Sequence, residues 1–222
     1  MNTNYIIQIE TATKNCSVAL SGNGETIALK EIAETGFTHA ENLHVFIDEI
    51  LRENGIHYKQ ISAVAVSQGP GSYTGLRIGV SAAKGLCFAL DVPLIALDTL
   101  EILSKQLKVE EGLIVPMLDA RRMEVYTAIF SVYGEVLQPV HAKIIDAEAF
   151  SEFKNETLHL FGDGANKCKE ILNSPNIIYH SNILYPSAGS MSNLAFAKFS
   201  NQEFENVAYF EPYYLKEFFT GN

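Results

Sequence analysis

Basic charge is scarce in this chain. Across 222 residues, 16 Lys and Arg face 26 Asp and Glu, for a formal net charge of −10. Nucleic-acid binding is dominated by phosphate neutralisation, and the densest basic cluster is the single pair Arg121-Arg122. Autonomous binding to a nucleic acid is therefore not expected. Long apolar runs are missing as well. None approaches the ~18 residues of a membrane span, so no membrane partner is expected. The three cysteines, Cys16, Cys87 and Cys168, are odd in number and far apart. They argue against a disulfide framework and fit a reducing compartment. The opening Met1-Asn2-Thr3-Asn4 has no basic stretch, and Gln8 and Glu10 soon interrupt the apolar residues. No signal peptide is expected, which places the protein in the cytoplasm.

Histidines at metal spacing are also lacking. His39 and His44 are five positions apart, so on a helix they point about 140° away from each other. A zinc pair wants a spacing of three or four. His57, His141, His159 and His180 are scattered. No metal site is expected, and no Ser–His–Asp or Cys–His arrangement is suggested by spacing. What remains is an ordinary globular composition, 47% hydrophobic and 19% charged, long enough for one large domain or two small ones.

The most informative stretch is Ser67-Gln68-Gly69-Pro70-Gly71-Ser72-Tyr73-Thr74-Gly75-Leu76-Arg77-Ile78-Gly79. An apolar strand, Ile61 to Val66, precedes it, and a small-residue helix follows from about Thr74 to Leu90. The glycines allow a sharp turn and close approach. The helix start could cradle a phosphate or present a bare helix to a partner protein. The run fits neither the P-loop nor the dinucleotide fingerprint: Leu76-Arg77 stands where Lys-Ser/Thr should, and Thr74 where a third glycine should. Gly75, Gly79, Ala82 and Ala89 lie on one side of the helix. Leu76, Val80, Ala83, Cys87 and Leu90 lie on another, so two faces should be covered.

Periodicity places strands at Tyr5 to Ile9, Cys16 to Ser21 and Glu25 to Ala33, with a tight turn at Gly22-Asn23-Gly24. Thr38 and Glu41 form a capping-box signature. Leu43, Phe46, Ile47, Ile50 and Leu51 then follow at helical spacing, closed by Asn54-Gly55. Pro93 to Leu97 is a short strand, and Asp98 can cap a further helix. The second part reads as strands Leu113 to Leu118, Glu124 to Val132 and Glu135 to Ala142, and a helix Asp146 to Phe153. A strand Thr157 to Phe161, a helix Ala165 to Leu172, a strand Ile177 to Tyr179 and a helix Ser190 to Phe199 complete it. The expected fold class is α/β: two β-β-β-α-β-α halves, as in the actin-like, ribonuclease-H-like architecture. The halves are residues 1–105 and 106–222, with the segment from about 205 packing back on the first.

Three further clusters carry two readings each. Glu10 could hold a metal-bound water and Lys14 reach a phosphate, or Thr11, Thr13 and Asn15 could simply build a hairpin turn. Asp119-Ala120-Arg121-Arg122-Met123-Glu124 could be a charged hairpin turn. It could also be an acid beside an arginine that binds carboxylate or phosphate bidentately. Gly162-Asp163-Gly164-Ala165 could be a second phosphate loop or a plain strand-to-helix turn.

Together, Gly69 to Gly79, Asp119 to Tyr126, Gly162 to Ala165 and Glu211-Pro212-Tyr213-Tyr214-Leu215 resemble the TsaB (YeaZ) family over nearly the whole chain. The first two motifs are specific. Lys216 stands where the family often has arginine. The resemblance implies a non-catalytic subunit required for threonylcarbamoylation of the tRNA adenosine beside the anticodon. It implies pairing with the catalytic paralogue TsaD, and contact with the ATPase TsaE and tRNA only through the complex; an apolar interface patch left bare would favour self-association, so a homodimer is expected when the chain is isolated. It implies no cofactor in this subunit, with ATP and a metal used by its partners. TsaD carries His-x-x-x-His after a Val-Pro strand; aligned through Val92-Pro93, those positions here are Thr99 and Leu103, neither of them an imidazole. An older label of peptidase is disfavoured for the same reason. Partner contacts carried over are Leu43, Phe46, Ile47, Ile50, Ser72, Tyr73, Gly75, Leu76, Gly79 and Ala82, and Gly79→Arg is expected to block pairing while sparing the fold. A vestigial nucleotide or ligand site would comprise Glu10, Thr11, Asp119, Arg121, Gly162, Asp163 and Gly164. The competing function is an actin-like enzyme that hydrolyses ATP or transfers its phosphate.

Overall fold

A computed structural model describes residues 3–33 and 39–216. The expected Thr38 cap lies outside the described residues. Two compact units are formed, one from Met1–Ile102 with Pro186–Asn222 and one from Leu103–Tyr185.

The first unit contains β1 (Tyr5–Glu10), β2 (Asn15–Gly22), β3 (Glu25–Ala33), α1 (His39–Glu53), β4 (Ile61–Gly69), α2 (Tyr73–Leu90) and β5 (Leu94–Asp98), and α3 (Thr99–Ser104) begins in it and runs to the boundary with the second. Asn23 and Gly24 both take positive φ, +51° and +90°. This is the two-residue turn that matches strand twist, and it joins β2 to β3. Helix α1 ends at Gly55, whose φ is +66°. The amides of Gly55 and Ile56 return to the carbonyls of Arg52 and Leu51, and an apolar residue past the glycine closes such a cap. The sheet order is β3-β2-β1-β4-β5. The β1–β2 and β2–β3 pairs are antiparallel, β1–β4 and β4–β5 parallel.

Both faces of this sheet are apolar. Ile7, Ile9, Val18, Leu20, Val64 and Val66 meet Leu43, Ile47 and Ile50 of α1 and Val80, Ala83 and Cys87 of α2. Ile6, Ala19, Ala63, Ala65, Ile95 and Leu97 face the other way and meet Met191 and Ala195. Strands buried on both sides need two covers. The second cover is α4 (Ser192–Ser200), which belongs to the first unit and not, as its place in the sequence suggests, to the second half. The chain rejoins the first unit at Pro186, well before residue 205.

The second unit repeats the connectivity with β6 (Leu113–Asp119), β7 (Glu124–Ser131), β8 (Val136–Ile144), β9 (Leu158–Phe161) and β10 (Ile177–Tyr179), in the order β10-β9-β6-β7-β8. Its core includes Val115, Met117, Val125, Ile129, Phe150, Leu160, Cys168 and Leu172. The helices expected over 146–153 and 165–172 are replaced by turns with single 3-10 segments, Ser151–Phe153 and Asn166–Cys168. Both stretches are short, and a helix nucleus fixes several residues before the first bond repays it. Among the described residues, no helix is long and apolar enough to cross a membrane.

Candidate functional site

The glycine loop lies at the end of β4, where Gly69 has φ +121°. Ser72 caps α2 by accepting from the Gly75 amide at 3.3 Å. The Ser72 amide donates to the Ala12 carbonyl at 2.7 Å. The Thr11 hydroxyl donates to the Gly75 carbonyl at 2.8 Å. A Cβ at Gly71 would overlap the Ala12 carbonyl oxygen; at Gly75 and Gly79 it would overlap the Thr11 carbonyl oxygen and hydroxyl. These three glycines therefore let α2 settle on the β1–β2 turn of its own unit. The Ser72 amide, at the helix start, is thereby taken up by the Ala12 carbonyl.

Beside this turn the parallel strands end in a polar group. Glu10, at the end of β1, is completely buried, and its Oε1 accepts from the Ala12 amide at 2.6 Å. Its Oε2 and the hydroxyls of Ser67 and Thr99 are buried without a well-formed hydrogen bond. Burial pushes the Glu10 carboxyl up from 4.5 to about 7; the Ala12 amide and Ser67 hydroxyl oppose the rise, and the Asp98 carboxylate adds to it. Asp98 also rises, to about 6, again chiefly by burial. It caps α3 as the sequence suggested, accepting from the Leu100 and Glu101 amides. The carboxyl ends of parallel strands are where α/β sheets bind ligands.

In the second unit, Asp119, Arg121 and Asp163 come together. The Asp163 carboxylate accepts from the Asp119 amide, and Asp119 accepts from the Arg121 amide and from Lys167 Nζ. The Gly162 and Gly164 amides bond the Ile183 and Met117 carbonyls, and a Cβ on either would strike the β6 backbone. Among the described residues, no group of three or more His, Cys, Asp or Glu could hold a metal ion.

The residues expected to face a partner are mostly spent on the first unit itself. Leu43, Ile47, Ile50, Gly75, Leu76 and Gly79 are buried, and Phe46 and Ala82 pack half-buried against the same core. This corrects the expectation: the apolar stripe of α1 and the glycine side of α2 are internal. It also reverses the expectation for Gly79→Arg, which would drive a side chain into Thr11. Ser72 stays exposed and Tyr73 half-exposed. The outward face of α2 is instead Thr74, Arg77, Ser81, Gly85 and Phe88. Phe88 is 87% exposed, and a Cβ at Gly85 would meet nothing. One signal could have found this face: Phe88 fits neither apolar stripe of the helix.

The chain end fastens the start of α2. The Tyr213 amide donates to the Gln68 carbonyl at 2.7 Å, and the rings of Tyr73 and Tyr214 lie 4.7 Å apart. The Arg77 guanidinium sits 4.1 Å from the Tyr73 ring centre and donates to the Tyr214 hydroxyl. Lys84 bonds the Ala208 and Phe210 carbonyls. None of these contacts was visible from spacing.

Comparison with known proteins agrees with this architecture. A family model described as TsaD, tRNA N6-adenosine threonylcarbamoyltransferase, matches residues 32–217. The tRNA threonylcarbamoyladenosine biosynthesis protein TsaB of Haemophilus influenzae is 30% identical over 95% of this chain and 93% of its own. That of Escherichia coli is 29% identical over 95% and 94%. The solved structure of YeaZ from Pseudomonas aeruginosa superposes with a TM-score of 0.81 at 25% identity, covering 96% of this chain and all of that one. Sequence match and shared fold both run nearly end to end, and the chain belongs to the TsaB family of tRNA threonylcarbamoyladenosine biosynthesis proteins.

Proposed function

We propose that the chain is a non-catalytic subunit that pairs with a TsaD and is required for threonylcarbamoylation of the tRNA adenosine beside the anticodon. One observation carries the reading: both glycine turns rest against the chain's own backbone, at Thr11-Ala12 and at Met117. Loops seated in this way hold elements in place, and the Ser72, Gly162 and Gly164 amides are already bonded to carbonyls of the chain rather than offered to a phosphate. The residues aligned with the partner's metal-binding histidines, Thr99 and Leu103, are both buried and offer no imidazole. The face offered to TsaD is the outer side of α2, centred on Phe88. An exposed aromatic beside small residues suits close helix packing. The same face would pair two copies of the isolated chain as a homodimer.

In this reading the subunit has no cofactor of its own. ATP and the metal belong to its partners, TsaE and tRNA are reached through the complex, and the setting is the cytoplasm. The test is tRNA modification in vitro by a TsaD and TsaE pair with adenylate synthase, ATP, threonine and bicarbonate. Product is expected only when this chain is added. Equal product without it would end the scaffold reading. The buried Glu10 carboxyl at the strand ends favours a second reading, an actin-like enzyme acting on ATP. Magnesium-dependent nucleotide binding by the isolated chain would be its signature.

A further inference from the structure

Arg121 and Arg122 occupy successive positions in the β6–β7 hairpin with φ of +70° and +48°. Left-handed backbone penalises any Cβ, so glycine or asparagine is the usual choice there. Of the other left-handed residues described, Asn23 and Asp91 are of the tolerant polar type, and Gln202, at φ +59°, stands singly, whereas the arginines are a consecutive pair. A strained pair of large side chains is retained when those side chains are needed. The turn itself asks only for backbone bonds, from the Ala120 amide to the Glu124 carbonyl and from the Glu124 amide to the Arg121 carbonyl.

The sequence has four arginines, at 52, 77, 121 and 122. Arg52 pairs with Asp48, and Arg77 is held by Tyr73 and Tyr214. Both hairpin arginines are exposed, and neither guanidinium has a hydrogen-bond or ion-pair partner among the described residues. The nearby carboxylates are already engaged: Asp119 by Lys167 and the Arg121 amide, Asp163 by the Asp119 amide.

We propose that the Arg121-Arg122 hairpin contacts the phosphodiester backbone of the tRNA once the chain is part of its complex. Two adjacent guanidiniums each offer a planar fork that matches phosphate oxygens. Two contacts on a chain of net charge −10 are too few for binding alone. They add to what the partner supplies. The inference rests on the subunit reading above.

The test uses the complex assembled with TsaD, an unmodified tRNA transcript, and the double variant Arg121→Asn/Arg122→Gly. Pairing with TsaD should be unchanged by sizing. The tRNA affinity should fall, and its dependence on log salt should flatten by about one to two. The isolated variant should melt higher than wild type, by roughly 2–4 °C for each residue relieved. A structural role for the arginines would move that melting point down. Unchanged tRNA affinity overturns the proposal. Lost pairing with TsaD overturns it too, and assigns the arginines to carboxylates on the partner. Failure of the wild-type chain to pair at all would instead remove the subunit reading and this inference with it.

Discussion

Replacing Glu10 by Gln should make the protein more stable at neutral and alkaline pH, not less. The Glu10 carboxyl lies at the end of β1, fully buried, with its pKa raised from 4.5 to about 7 mainly by burial. A raised carboxyl favours the protonated form in the folded state. Its contribution is therefore whole below pH 4.5 and is lost as the pH climbs from 4.5 through 7. One pKa unit is worth about 1.4 kcal/mol, so the loss by pH 8 is about 3 kcal/mol. Asp98 acts in the same direction, from its ordinary 3.8 up to about 6. Glutamine is neutral at every pH. Its oxygen can keep the Ala12 amide and its NH2 can donate towards Ser67. With roughly 2–4 °C per kcal/mol for a chain of this size, the variant should melt roughly 6–12 °C above wild type at pH 8. Near pH 5 the two should nearly coincide. Melting curves followed by circular dichroism, at matched ionic strength from pH 5 to 8, measure the difference directly. A difference that does not change with pH would refute the reasoning, and so would a variant less stable than wild type at pH 8.

Two further outcomes are expected. Gly79→Ala should destabilise the first unit by about 1–3 kcal/mol, because the new methyl overlaps the Thr11 hydroxyl; Thr11→Ser should leave that clash in place and Thr11→Ala should relieve it, as read by melting temperature. Phe88→Asp should leave the fold intact, since the ring is 87% exposed, yet weaken pairing with TsaD by at least about 2 kcal/mol, roughly thirtyfold in Kd. Titration calorimetry would measure it, and unchanged affinity would take the outer face of α2 out of the interface.

The sequence was most legible where local chemistry decides. Asn23-Gly24 specified its turn, Asn54-Gly55 ended α1, Asp98 capped α3, and apolar periodicity located the ten strands among the described residues to within a few residues. It was least legible where tertiary contact decides. The glycines of α2 announced a close approach, but nothing in their spacing said that the approaching surface was Thr11 of the same chain. Likewise Leu43, Ile47 and Ile50 are one stripe whether they meet a sheet or a partner, and here they meet the sheet. The two absent helices of the second unit show the limit of periodicity in short segments. For the ligand-type residues, sequence named Glu10, Asp119 and Asp163 but not their neighbours Ser67 and Lys167, which reach them from other strands and turns.

The return of the chain at Pro186 makes the second unit an insertion within the first, and this has a consequence for synthesis. At ordinary translation rates, roughly 5–20 residues per second, the ribosome spends several seconds on the inserted unit. Throughout that interval β1, β4 and β5 exist without α4. The sheet face formed by Ile6, Ala65, Ile95 and Leu97 waits for Met191 and Ala195. The amino-terminal portion therefore cannot complete its core in order of emergence. A nascent chain, or any fragment ending before α4, carries a bare apolar sheet face, so the inserted unit acts as a built-in delay on closure of the first unit's core.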